Sequence, residues 1–258
     1  MKKDTCFFIS DAHFGLPIPG GEGREQLFNE FVSSVAGRME TLIILGDFFD
    51  FWIEYNSVIR LDYFSLLCKL KQLVDSGVAV HYLAGNHDFA LGPFFKNQLG
   101  ITVHLNTFDT EIQGNKVFMY HGDGLINDDV GYRILKKILR NPLNQKIYKA
   151  LIHPDLGVWI GTLASNTSKK HNKERYLSPE RISEYRSCAQ KKLRDGYDIV
   201  FFGHTHAAEH LIFPEGIYCN TGAWLTKYTF ASMQAGEVRL FEYLPGGNFQ
   251  LLEPSFLK

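Results

Sequence analysis

Cysteine is scarce in this chain of 258 residues, and the four present (Cys6, Cys68, Cys188, Cys219) are far apart with no C-x-x-C pair. That argues against a disulfide framework and points to reduced thiols in a cytosolic protein. No segment approaches the roughly 18 uninterrupted apolar residues of a membrane span. The apolar run after Met1-Lys2-Lys3-Asp4 covers only Cys6 to Ile9, too short for a signal peptide. Net charge is also lacking: 27 Lys and Arg against 28 Asp and Glu leave −1, which excludes a histone-like or polyanionic chain. Internal repeats and low-complexity tracts are missing. What is abundant is apolar material, 45% of residues, with 21 Phe and 12 Tyr, so wholesale disorder is excluded. The expectation is a soluble intracellular protein of one large domain, or a domain with an inserted cap.

Short apolar runs alternate with helical patterns, the signature of a layered α/β fold. Strands are expected at Thr5 to Ser10, Thr41 to Leu45, Val78 to Ala84, Val117 to Tyr120 and Ile199 to Phe202. Helices are expected at Arg24 to Gly37 and Arg60 to Ser76, where apolar residues recur at helical spacing. Beyond residue 210 come short strands at Gly216 to Cys219, Tyr228 to Gln234 and Glu237 to Tyr243.

Leu125 to Asp195 differs in charge. It holds 15 Lys and Arg against 7 Asp and Glu, a net of +8, while the remainder carries −9. This segregation predicts a basic helical cap over 125–195, inserted into a core formed by 1–124 and 196–258. Within Tyr132 to Asn141, Ile134, Leu135, Ile138 and Leu139 fall on one helical arc, and Arg133, Lys136, Lys137 and Arg140 fall opposite. Such a helix can rest on an anionic bilayer, present its apolar side to acyl chains, or simply pack that side on the core. A second basic run, Lys169 to Arg175, suits a pyrophosphate or nucleotide, or is a solvated loop. Because the basic excess is confined to the cap, duplex nucleic acid is disfavoured as a partner.

Five expected strands end in polar clusters: Ser10-Asp11-Ala12-His13, Gly46-Asp47-Phe48-Phe49-Asp50, Gly85-Asn86-His87-Asp88, His121-Gly122-Asp123 and Gly203-His204-Thr205-His206. Ligands of open α/β sheets sit outside the carboxyl ends of strands, so the clusters should converge. Each fragment alone is weak; their joint order is the signal. Carboxylate oxygen, imidazole nitrogen and one amide oxygen, with no thiolate, suit a pair of divalent cations, Mn, Fe or Zn. Two cations 3.5–4 Å apart need an anionic bridge, which an Asp can form by giving one oxygen to each. Water held there becomes a nucleophile near neutral pH, and phosphate esters are the natural substrate.

The series D-x-H, G-D-x-x-D, G-N-H-D, H-G-D and G-H-x-H, from Asp11 to His206, resembles the calcineurin-like metallophosphoesterases. That resemblance implies a four-layer α/β/β/α sandwich with an inserted helical cap. It also implies that Asp11, His13 and His206 hold one metal, that Asn86, His121 and His204 hold the other, and that Asp47 bridges them. His87 would stabilise or protonate the leaving oxygen, Asp88 would orient His87, and Asp50 and Asp123 would stand behind the ligands.

A narrower likeness joins Leu45 to Ile53 (Leu-Gly-Asp-Phe-Phe-Asp-Phe-Trp-Ile) with the stretch from His121 through Asn127-Asp128-Asp129, Tyr132-Arg133 and Arg140-Asn141-Pro142 to Gln145. Both look like the UDP-2,3-diacylglucosamine hydrolases of lipid A biosynthesis. The likeness implies water attack on the α-phosphorus, giving UMP and 2,3-diacylglucosamine 1-phosphate, usually with Mn. It also implies a peripheral position on the cytoplasmic face of the inner membrane. Asp129, Ser168, Asn172 and Arg175 match substrate-contacting positions. Better-known members carry Arg where this chain has His87, which leaves room for another nucleotide- or lipid-linked phosphodiester. A reading from another class, a scaffold that keeps the fold without catalysis, would be favoured by a lost ligand, and none is lost here.

Overall fold

The chain's first strand, β1 (Thr5–Ile9), is buried along its whole length because both of its faces are covered. The computed structural model describes residues 3–18, 21, 23–126, 130–163, 178–225, 227–244 and 246–257. Phe7 and Ile9 of β1 pack toward helices α1 (Arg24–Val35) and α2 (Phe64–Asp75). Cys6 and Phe8 point the other way, where Phe8 stacks on Phe201 with ring centroids 4.0 Å apart. Along α2, Leu66, Leu67, Leu70 and Leu73 are buried at helical spacing. Each such side chain contributes roughly 1.5–3 kcal/mol when fully buried.

The first sheet runs β12 (Asn248–Leu252), β11 (Glu237–Leu244), β10 (Thr229–Gln234), β1, β2 (Met39–Ile44), β3 (Ala79–Leu83), β4 (Thr102–His104). The second runs β13 (Ser255–Phe256), β8 (Ala208–Phe213), β9 (Gly216–Thr221), β7 (Ile199–Phe202), β6 (Asn115–Tyr120), β5 (Phe108–Ile112). Strands β1 to β4 are parallel, as are β6, β7 and β9. Three apolar clusters separate the layers: helices α1 and α2 on the first sheet, sheet on sheet, and the second sheet against a further helix. The result is an α/β/β/α sandwich.

That further helix corrects the extent of the cap. α6 (Pro179–Arg194) buries Tyr185, Ala189 and Leu193 against Phe202 and Tyr218, so it is the fourth layer of the body. Ser178 caps its start by accepting from the Arg181 amide, with Pro179 next in line. Its basic residues Lys191, Lys192 and Arg194 lie in the last turn, where positive charge complements the helix dipole. A charge count cannot tell such a docked helix from a protruding one. The helices that add no described residue to these three clusters are α3 (Val130–Arg140), α4 (Pro142–Leu151) and α5 (residues 154–163).

The expected strands are present with ends shifted by up to two residues, and β4, β5, β8, β12 and β13 were not expected. β5 is Phe-Asp-Thr-Glu-Ile with three exposed residues, and β8 carries Glu209 and His210, so neither reads as an apolar run.

Candidate metal centre

The turns that leave β1, β2 and β7 carry backbone strain. Eight described non-glycine residues have positive φ, and five of them are Asp11 (50°), His13 (44°), Asp47 (52°), His204 (66°) and His206 (57°). Left-handed backbone costs an L-residue roughly 1–2 kcal/mol, and strain of this kind gathers where a site needs it. The turns are held in place by one another. The amides of Asp11 and His13 bond to the carbonyls of Gly46 (3.1 Å) and Asp47 (2.9 Å), and the Gly203 amide bonds to His121 O (3.0 Å). The His204 amide donates to Asp11 Oδ2 at 2.9 Å. Two glycines allow the close approach: a Cβ on Gly85 would lie 2.1 Å from Asp47 Oδ1, and one on Gly46 would lie 2.5 Å from His121 Nδ1.

The side chains converge. His206 Nε2 lies 3.2 Å from Asp11 Oδ1 and 3.4 Å from His13 Nε2. Asp47 Oδ2 is faced by His121 Nε2 at 3.4 Å, His13 Nε2 at 3.7 Å and His87 Nε2 at 4.0 Å. Asn86 Oδ1 is 3.1 Å from His121 Nε2. Among the described residues, three groups therefore offer ligand atoms to a cation: Asp11 with His13 and His206, Asp47 with His121 and His204, and His13 with Asp47 and His87. Asp47 Oδ1 is already engaged, accepting from the His87 amide at 2.9 Å. So Asp47 turns a single oxygen, Oδ2, to both sides, rather than one oxygen to each.

Ring orientation follows from the far nitrogens. His121 Nδ1 lies 2.7 Å from Leu45 O and His87 Nδ1 lies 2.8 Å from Asp50 O, which turns both Nε2 atoms toward Asp47. Buried Asp50 adds its carboxylate, with Oδ1 3.5 Å from His13 Nδ1 and 3.7 Å from His87 Nδ1.

Asp88 behaves otherwise than expected. Its fully buried carboxylate accepts from the amides of Gly85 (2.7 Å), Phe48 (2.8 Å) and Asp47 (3.2 Å), and from the Tyr82 hydroxyl (2.5 Å). It therefore ties the β2 and β3 turns together instead of orienting His87, because the turn directs its carboxylate back into the backbone. The group beside His87 is Asp50.

Electrostatics show that this cluster fits a cation. Burial works against ionised Asp11, yet His206 and His121 beside it bring its pKa down to about 2. Burial likewise disfavours ionised Asp47, but His121, His87 and His13 hold it well below the usual range. Burial pushes His121 down, but Asp47 and then Asp11 and Asp123 hold it up to about 10. In His204, burial and then repulsion by His121 lower the pKa to about 4. The charges acting most on these two carboxylates are imidazoles, so the countercharge falls on ligand-type nitrogens that a divalent cation would relieve.

Asp123 is fully buried and meets Lys136 Nζ at 2.6 Å through Oδ2. Lys136 and Arg140 thus turn inward from the cap, a role that sequence reasoning missed by placing them only on a basic arc opposite the apolar one. The nearest signal was the acid in His121-Gly122-Asp123. Their apolar neighbours Ile134, Leu135, Ile138 and Leu139 are 38–56% exposed, so the apolar side of α3 does not pack on the core. Asp129, Ser168, Asn172 and Arg175 lie outside the described residues.

The pattern of a calcineurin-like phosphoesterase matches residues 5–208. Among curated relatives, a UDP-2,3-diacylglucosamine hydrolase of Neisseria meningitidis serogroup B is 32% identical over 80% of this chain and 83% of its own. One of Yersinia pestis is 30% identical over 93% and 99%, and one of Edwardsiella ictaluri is 29% identical over 92% of each. A solved archaeal phosphodiesterase aligns at 16% identity over 92% of this chain and 98% of its own, with a TM-score of 0.47. The chain belongs to the calcineurin-like phosphoesterase family of metal-dependent hydrolases.

Proposed function

We propose that the protein cleaves the pyrophosphate of UDP-2,3-diacylglucosamine, releasing UMP and 2,3-diacylglucosamine 1-phosphate. The observation that carries this reading is a two-cation donor set directly beneath a cap that is basic on its inner edge and apolar on its outer one. The names of relatives matching over most of both chains support it.

Asp11, His13 and His206 would hold one cation, Asn86, His121 and His204 the other, with Asp47 Oδ2 between them. Bound there, two divalent cations, with Mn the best match, supply Lewis acidity to phosphoryl oxygens and acidify water. His87, fixed through Nδ1 to Asp50 O, presents Nε2 where a leaving oxygen needs stabilising. Lys136 and Arg140 add positive charge beside a substrate that is anionic at both phosphates. The exposed apolar residues of α3, continued by Leu143, Ile147 and Leu151 of α4 and Trp159 of α5, suit acyl chains and a peripheral seat on the cytoplasmic face of the inner membrane. No described helix is long and apolar enough to cross a membrane.

The test is UMP release from UDP-2,3-diacylglucosamine by purified protein with Mn. Turnover that EDTA abolishes is expected. Turnover of other nucleotide diphosphate lipids with this one refused would favour a different lipid-linked substrate, and no hydrolysis of any diester would favour a scaffold.

A further inference from the structure

The two halves of the metal centre are braced from different parts of the molecule. Arg24, buried on α1 of the body, donates to the carbonyls of Ala12 (2.6 Å), Leu16 (2.7 Å) and His13 (3.4 Å), and so fixes the turn that carries Asp11 and His13. The other half is held within the body by Asp88 at the Gly85 amide and by Leu45 O at His121 Nδ1, and it has an added brace from the cap. Arg140 Nη2 donates to Gly85 O at 2.9 Å, the carbonyl immediately before Asn86. Arg140 Nη1 reaches Leu105 O and, at 3.3 Å, Asn106 Oδ1, clamping the neighbouring turn after β4.

One helical turn earlier on the same face, Lys136 Nζ pairs with Asp123 Oδ2 (2.6 Å) and donates to the Tyr120 hydroxyl (2.9 Å) and Asp123 O (3.1 Å). The Tyr120 hydroxyl in turn donates to Asp123 O at 2.5 Å. These contacts enclose His121, which lies between Tyr120 and Asp123 and whose Nε2 faces Asn86. An ion pair this buried is strongly position-dependent, because a partner left behind is an uncompensated charge.

We propose that Lys136 and Arg140 are positioning residues through which the cap sets the Asn86–His121–His204 half of the centre. Closing the cap organises that half, and by reciprocity a cation bound there favours the closed cap. The inference rests on the metal reading given above. It adds that the two cations differ: one depends on the body alone, and the other depends also on where α3 stands. A substrate that draws the cap down then tightens the second cation before the chemistry.

The test compares Mn binding by calorimetry and electron paramagnetic resonance in wild type and the Lys136→Met/Arg140→Met double variant, without substrate. Wild type is expected to bind two Mn with a spin-coupled signal. The double variant is expected to keep one Mn at wild-type affinity and to hold the second about 10–100-fold more weakly, the range for loss of a partner behind a ligand. Its coupled signal should give way to that of an isolated ion. Arg140→Gln, which retains an N–H donor for Gly85 O, should recover part of the lost affinity. If the double variant does not fold, Arg140→Met alone carries the comparison. Two undiminished sites, or equal weakening of both, would overturn the proposal. Wild type binding no Mn would overturn the metal reading itself, and the proposal with it.

Discussion

His13 and His206 are 193 residues apart in sequence, and their Nε2 atoms are 3.4 Å apart in the fold. Both rings sit on left-handed backbone, and Asp11 Oδ1 lies 3.2 Å from the second of them. Two imidazoles and a carboxylate directed at one point, on turns that each cost free energy to form, make sense only if something bound repays the strain. A divalent cation held by all three would.

Asp47→Asn and Asp11→Asn should therefore fail differently. Asp47 Oδ2 is shared by His13 on one side and His121 on the other, so its loss should remove both cations and lower turnover by more than ~100-fold, beyond what outer partners cost. Asp11→Asn should leave one cation in place. Elemental analysis of both variants after Mn reconstitution checks this; equal metal content would contradict it.

Asp88 is a matter of stability. Asp88→Ala strands the amides of Gly85, Phe48 and Asp47 and the Tyr82 hydroxyl in a dry interior, at about 1–3 kcal/mol for each unsatisfied donor. Urea unfolding at pH 7 should show a loss of at least about 3 kcal/mol, with Asp88→Asn losing less because it keeps an acceptor. A stable, inactive Asp88→Ala protein would return Asp88 to the catalytic role.

How far the site was legible follows from the kind of residue involved. Asp11, Asp47, His121 and His204 announce themselves because each follows an apolar strand in a sheet whose carboxyl edge gathers ligands. Asp88 was misread because adjacency in sequence to His87 says nothing about where a carboxylate turns. Lys136 and Arg140 were read only as part of a basic arc because a helical wheel gives relative faces, not which face meets the body. α6 was assigned to the cap on charge, although Tyr185, Ala189 and Leu193 at four-residue spacing already marked a docking stripe.

The seat of α5 rests on Gly161, where a Cβ would stand 2.4 Å from the Phe51 ring. Gly161→Ala should force the ring or the helix away and raise KM for the glycolipid severalfold, while a small phosphodiester is cleaved as before. Because the clash is with one side chain, Phe51→Ala should recover much of the loss, a coupling of roughly 0.5–3 kcal/mol in a double-mutant cycle. Strictly additive losses would mean that Gly161 acts elsewhere.

Acid sensitivity should trace in part to His81 and His104, whose Nδ1 and Nε2 lie 3.1 Å apart. Burial lowers His81, and burial together with His81 takes His104 down to about 4. Folded pKa values below the unfolded value of about 6.5 mean that the unfolded chain binds more protons, so stability is lost as pH falls from about 6.5 toward 4. His104→Gln should flatten the dependence of Tm on pH across that window. An unchanged slope would contradict the assignment.

Cations held around Asp47 would supply activated water, and the phosphorus it is proposed to attack is the one on the uridine side of a UDP-linked glycolipid. Hydrolysis of UDP-2,3-diacylglucosamine with Mn in oxygen-18 water, followed by phosphorus NMR, tests it most directly. The isotope-shifted resonance is expected in UMP. The label in 2,3-diacylglucosamine 1-phosphate, or no cleavage by Mn-loaded protein, would contradict it.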